Sequence, residues 1–165
     1  MSRIGVFGGT FNPPHKAHLR LAQKAIEDAE LDRVIVIPAY TPPHKSAPQL
    51  LSAQDRLELC RLTFRGEKFE ISDIEIKRKG KSYTIETLEA LKAVYPQDEL
   101  VLIIGSDMLL SFEKWYRFED ILSIASLCVM TREHAVTQEE LRSYCKNILS
   151  MTEIGRAVQQ ECRDR

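Results

Sequence analysis

His15 and His18 stand three residues apart in GGTFNPPHKAH (residues 8–18), behind two glycines and two prolines. Imidazoles at that spacing share one face of a helix's first turn. They can donate to phosphate oxygens, and a helix start adds free N–H groups and the positive end of its dipole. Gly8 and Gly9 carry no Cβ, so a phosphate could approach the backbone amides of the loop closely. Pro13 and Pro14 favour an extended approach and postpone the helix until about His15. Together these residue types suit a polyphosphate cradle with two imidazole donors. Neither G-x-G-x-x-G nor G-x-x-x-x-G-K-[ST] is present, so the dinucleotide fingerprint and the Walker A loop find no support. Taken alone, H-x-x-H at a helix start also serves as a polar cap, and Gly-Gly after a strand as a plain turn.

Such a loop must hang from a scaffold, and the surrounding pattern supplies one. Apolar runs that read as buried strands (Ile4–Phe7, Val34–Ile37, Phe69–Ile76, residues 100–104 and ASLCVM ending at Met130) alternate with helical patterns. The helices are expected near Lys16–Ala29, Gln54–Phe64 and Ser82–Tyr95, the first with Leu19, Ala22, Ile26 and Ala29 on one face and the second carrying Leu57, Leu59 and Leu62. Alternation with short links implies an α/β fold: a doubly wound, Rossmann-like parallel sheet of about five strands with helices on both faces. Ligands in such folds bind beyond the carboxyl ends of the strands, where the unusual residues of this chain lie.

The 165 residues fit one domain, and 44% hydrophobic with 28% charged residues is a globular composition. A net charge of −1 argues against sequence-independent nucleic-acid binding. No apolar run approaches the ~20 residues of a membrane span, and no signal-peptide pattern opens the chain, so a cytoplasmic location is expected. Cys60, Cys128, Cys145 and Cys162 are scattered without C-x-x-C pairing, which reads as reduced thiols and no zinc site. Self-association through an edge strand or a helix face is left open.

GGTFNPPHKAH resembles the G-[ST]-F-[DN]-P-x-H-x-G-H signature of the nucleotidyltransferase superfamily related to class I aminoacyl-tRNA synthetases, with Ala17 at the usual glycine. AYTPPHK (39–45), KSYTIETL (81–88), IIGSDMLLSFEKW (103–115) and Arg132 are similar, in order, to blocks of the nicotinate/nicotinamide mononucleotide adenylyltransferases, above all the bacterial nicotinate-nucleotide enzymes. The resemblance implies AMP transfer from ATP to nicotinate mononucleotide, with Mg²⁺ arriving on ATP and no separate protein metal site. It implies catalytic roles for His15 and His18. ATP and its phosphates would meet Gly8, Gly9, Thr10, Phe11, Lys45, Gly105, Asp107, Ser150 and Thr152. The nicotinate nucleotide would meet His44, Thr84, Trp115, Tyr116 and Arg132. Each block has a plainer reading too. Ser106 or Asp107 could cap a helix, Trp115 could be core, and KRKGK (77–81) reads as a solvated turn around Gly80.

The C-terminal part departs from the family. An I-S-S-T-x-I-R motif that holds ATP phosphates is expected at a helix start. This chain offers LSMTEIGR (149–156), with Met151 in place of a serine and Gly155 intruding before Arg156. One domain over 1–165, with a core of about 1–132 and a shortened 133–165, is the expected organisation. The rivals are phosphopantetheine adenylyltransferase, whose R-G-[LI]-R segment is missing, a nucleotide-binding domain without chemistry, and a cytidylyltransferase lacking R-T-x-G-[IV]-S-[ST].

Overall fold

The structure, a computed structural model, describes residues 1–40, 50–130 and 138–151, without the side chains of 138, 141, 145 and 148–151. Strands β1 (Arg3–Gly9), β2 (Arg33–Pro38), β3 (Phe69–Ile71), β4 (Glu99–Gly105) and β5 (Ala125–Met130) form one parallel sheet in the order β3-β2-β1-β4-β5. Helices α1 (Lys16–Asp28), α2 (Ala53–Thr63), α3 (Ile74–Arg78), α4 (Thr84–Val94), α5 (Ser106–Leu109), α6 (Phe118–Ile124) and α7 (Gln138–Met151), with a short 3-10 turn at Phe112–Lys114, complete the described elements. The expected doubly wound sheet is present.

Period-2 alternation along the strands splits the core between the two faces. Ile4, Val6, Ile35, Ile37, Leu100 and Leu102 face α4 and α6 through Ile85, Leu88, Ile121 and Leu122. Phe7, Val34, Val36, Val101 and Ile103 face α1 and α2 through Ala22, Ala25 and Cys60. Burial pushes the Cys60 thiol up to about 12 and Cys128 to about 11, so both stay protonated and inert at neutral pH.

The sheet reverses its winding between β1 and β4, and the hydrogen-bond ladder parts there. β1 pairs with β2 as far as Gly9↔Pro38, and β4 with β5 as far as Gly105↔Met130. Between β1 and β4 the pairing ends at Val6↔Leu102. The carboxyl ends of the two central strands therefore separate and leave a crevice at the switch point, where open α/β sheets place ligands.

Two sequence expectations need correction, while the expected inner face of α1 is present. The run taken as a strand over Phe69–Ile76 is a three-residue edge strand followed by α3. Asp73 opens that helix, and Lys79 at φ 57° with Gly80 at φ 74° ends it. The buried side of α2 carries Arg56, Leu57 and Cys60, continued by Phe64, while Leu62 is 58% exposed. On α1 the fully buried positions are Ala22 and Ala25 with Ala29 just beyond, small residues that let the helix lie close to the sheet, and Leu19 and Ile26 pack at the margin.

Glu75 of α3 is buried beside α4. It accepts a hydrogen bond from the Thr87 hydroxyl (3.0 Å), which itself accepts from Arg78 (3.2 Å). Burial raises the Glu75 carboxyl above its ordinary value, against the opposing pull of Thr87 and Arg78. A raised folded-state value means that the folded chain holds this proton more tightly than the unfolded one. Its stabilising contribution is thus complete below the ordinary carboxylate range, about 4.3, and fades as pH rises through the raised value. Glu75→Gln is expected to match or exceed the wild type in urea midpoint at pH 7 and to lose that advantage near pH 4. A less stable variant at pH 7 would mean that the Arg78 contact outweighs burial.

Candidate active site

β1 ends in Gly8 and Gly9 and delivers the chain through Thr10 and Phe11 to a bend at Asn12 and Pro13, joined by a cis peptide, and on to α1; the approach expected to be extended through Pro13 is bent there instead. His15 is the N-cap of α1, in extended conformation (φ −145°, ψ −179°), and His18 is its third residue. The two rings stack with centroids 3.9 Å apart. Each caps the helix for the other part of the turn: the Ala17 N–H donates to His15 Nδ1 (3.2 Å), and the His15 N–H donates to His18 Nδ1 (3.1 Å). A neutral imidazole has one acceptor nitrogen and one N–H. With Nδ1 accepting in both rings, Nε2 carries the proton in both, an assignment made from the hydrogen bonds. The capping and catalytic readings of H-x-x-H are therefore compatible. Nδ1 serves the helix, and Nε2–H is the donor that each ring can offer to an anion.

Around the pair the loop is braced by aromatic packing. Phe11 meets Phe7 (5.4 Å), His18 (5.2 Å) and Phe64 (5.8 Å) edge-on. It does so with φ 51°, a left-handed backbone that bulky residues rarely adopt. A Cβ on Gly8 would meet nothing nearer than the Ile37 carbonyl at 3.9 Å, so the space beside it is open. A Cβ on Gly9 would touch the Phe11 ring at 3.3 Å.

Across the crevice, Gly105 ends β4 and Asp107 stands exposed in α5. A Cβ on Gly105 would fall 2.7 Å from Asp107 Oδ1, so the glycine makes room for the carboxylate to fold back over the strand end. Thr84 is the first residue of α4, behind Tyr83 as N-cap. Its hydroxyl makes no hydrogen bond among the described residues. Trp115 packs half-buried on Phe112 (5.1 Å), whereas Tyr116 is exposed and lies against Tyr83 (4.7 Å). Arg117 holds this corner to α4 through Glu89 (2.9 Å) and pairs with Asp120 (2.7 Å) in the first turn of α6.

His44, Lys45, Arg132 and Thr152 lie outside the described residues. Ser150 was expected at a helix N-terminus. It lies instead in the last turn of α7, the carbonyl end, whose dipole disfavours phosphate.

Two residues of this region escaped the sequence reading. Tyr83 stood inside the quoted KSYT and became visible only when the fold brought it against Tyr116. Arg56 carries no motif that marks it in the sequence, yet it is fully buried. Its Nη1 donates to Thr10 O (2.9 Å) and Ala39 O (2.5 Å), Nη2 to Tyr40 O (2.9 Å) and Nε to Leu51 O (3.0 Å). Burial lowers its guanidinium from the ordinary value, offset in part by nearby Cys60, without approaching neutrality at physiological pH. Two further bonds tie the same loops: Ala39 N–H to Gly9 O and Leu51 N–H to Asn12 Oδ1, both 2.9 Å.

Comparison with known proteins places this arrangement. The model of the cytidylyltransferase-like family matches residues 6–156. A Shouchella clausii protein named "Probable nicotinate-nucleotide adenylyltransferase" is 40% identical over 141 residues, 85% of this chain and 73% of that protein. A Trichlorobacter lovleyi protein of the same name is 48% identical over 138 residues, 82% of this chain and 65% of that one. The chain thus spans about two thirds to three quarters of the length of these relatives. Among solved structures, Plasmodium falciparum nicotinic acid mononucleotide adenylyltransferase complexed with NaAD superposes with TM-score 0.76 over 87% of this chain and 71% of that one, at 19% identity, a likeness of fold.

Proposed function

Because the chain belongs to the cytidylyltransferase-like family, we propose that it transfers AMP from ATP to the 5′-phosphate of nicotinate mononucleotide, releasing pyrophosphate. The observation that carries this reading is the His15–His18 pair at the start of α1, just beyond the end of β1, whose Nδ1 atoms cap the helix and whose Nε2–H groups would donate to phosphate. The names of the relatives supply the acceptor class.

The chemistry asks for little beyond placement and charge stabilisation. The attacking 5′-phosphate is ionised at neutral pH, so no nucleophilic side chain and no general base is required. His15 and His18 would donate to the phosphates, joined by backbone amides of Gly9, Thr10 and Phe11, and in-line positioning supplies the rest. Gly105 and Asp107 would receive the adenosine, the carboxylate accepting from the ribose hydroxyls. Thr84, Trp115 and Tyr116 would line the nicotinate side, with His44 and Arg132 from the undescribed segments, and Lys45 would face the phosphates. Among the described residues no three His, Cys, Asp or Glu side chains converge to hold a metal. On this reading Mg²⁺ would arrive with ATP, held by phosphate oxygens and water. The metal would neutralise phosphate charge there. The described residues also include no helix long and apolar enough to cross a membrane.

The deciding assay is pyrophosphate release with Mg²⁺ and ATP, comparing nicotinate mononucleotide, nicotinamide mononucleotide and phosphopantetheine at matched concentrations. Release with nicotinate mononucleotide is expected; release only with phosphopantetheine would move the chain to the rival enzyme. ATP binding with no release on any acceptor would leave a nucleotide-binding domain. Trp115→Ala is expected to raise the KM for nicotinate mononucleotide about tenfold, within the ~1–3 kcal/mol of one aromatic–ring stack. A selective rise in the KM for ATP would contradict that placement.

A further inference from the structure

We propose that Arg56 is a positioning residue for phosphate recognition: from beneath the loops it orients two peptide planes so that the Phe11 and Tyr40 N–H groups face the bound anion. The inference rests on the nucleotidyl-transfer reading and adds to it a residue that contacts no substrate. In a trans peptide the carbonyl and the following N–H point in opposite directions. Asn12–Pro13 is the cis bond of the described chain, so the Thr10–Phe11 and Ala39–Tyr40 peptides are trans. Arg56 Nη1 binds both Thr10 O and Ala39 O, which turns the N–H groups of Phe11 and Tyr40 away from the guanidinium. Neither N–H donates to a backbone or side-chain acceptor among the described residues. Two amides from adjacent loops, one after β1 and one after β2, are thus left pointing away from a common cation.

A tether alone would not need an arginine. A guanidinium fully out of water carries a large desolvation cost, usually met by a carboxylate. Here its partners are four backbone carbonyls, and no carboxylate among the described residues pairs with it. Its positive charge is solvated by dipoles and not cancelled, so it still attracts an anion lying on the far side of those peptides. The arginine also holds the Thr10 carbonyl while Phe11 sits in a left-handed conformation that its size disfavours. One side chain therefore both fixes the donors and supplies charge behind them.

The test uses the full chain and three probes: inorganic pyrophosphate, ATP and adenosine. In the wild type, titration with pyrophosphate should shift the Phe11 and Tyr40 amide resonances in a saturable way. In Arg56→Lys, which keeps the charge but cannot reach four carbonyls, pyrophosphate and ATP affinity should fall about 10–100-fold, the scale of losing charge-assisted bonds. Adenosine affinity should hold. In Arg56→Ala, millimolar guanidinium ion should restore part of the lost ATP affinity. Parallel losses for ATP and adenosine, or no loss at all, would reduce Arg56 to a structural strut and overturn the proposal. Should both variants fail to fold, wild-type Phe11 and Tyr40 amides that ignore pyrophosphate overturn it equally. A wild type that binds neither pyrophosphate nor ATP defeats the underlying functional reading as well, and that outcome is recognisable without any variant.

Discussion

His18→Asn should release pyrophosphate about 10²–10³-fold more slowly than the wild type at saturating ATP and nicotinate mononucleotide, with a melting temperature close to native. The rate estimate is the scale of losing one preorganised donor to a developing oxyanion. The stability estimate follows from the two nitrogens having separate duties. His18 Nδ1 accepts the His15 N–H, and an asparagine oxygen reaches the same place, so the cap of α1 is retained while Nε2–H disappears. His18→Ala removes both and should show the same fall in rate together with ~1 kcal/mol of lost cap stability. Rates alike in the wild type and the asparagine variant would take His18 out of the reaction. A drop in the alanine variant alone would assign it to the cap.

Gly8→Val offers the converse separation. The added Cβ meets nothing of the protein nearer than the Ile37 carbonyl at 3.9 Å, and β1 residues outside the left-handed region accept a side chain, so the unfolding free energy in urea should stay within ~0.5 kcal/mol of native. If a phosphate occupies that open space, the branched side chain displaces it by about the width of a methyl group. A misplacement of ~1 Å can cost on the order of 10² in rate, and kcat/KM for ATP should fall by at least that much. An unchanged kcat/KM would show that the polyphosphate lies elsewhere along the crevice. The same substitution at Gly9 is less informative, because there the new carbon would press on the Phe11 ring and confuse packing with binding.

These experiments bear on residues that were legible in the sequence, and the reason is physical. Gly8, Gly9, His15 and His18 sit within eleven consecutive residues, so one local pattern reports them all. The parallel sheet was equally plain, since a strand buried on both faces leaves an unbroken apolar run such as residues 34–37. The short α3 was misread because Ile71, Ile74 and Ile76 fit a strand and a helix turn alike, and only the caps at Asp73 and Lys79 decide. α6 was passed over for a similar reason, seven residues being too few to show a period. Arg56 was the instructive miss. It shares the inner side of α2 with Leu57 and Cys60, but arginine is so seldom buried that nothing in the sequence marks it out. What reversed that prior is a set of carbonyls supplied by residues 10, 39, 40 and 51, an association that the sequence does not display.

The early end of the ladder between β1 and β4 also bears on mechanics. β3, β2 and β1 form one zipped panel, and β4 and β5 another; at their carboxyl ends the two panels meet no further than Val6 and Leu102. A nucleotide lying across that gap as proposed, with its phosphates on the first panel and its ribose on the second, would act as a removable rung. Binding energy is then also cohesion between the two halves of the sheet. Amides flanking the gap, at residues 7–9 and 103–105, should exchange with solvent more slowly once ATP is bound, and adenosine, which grips only one panel, should slow them far less.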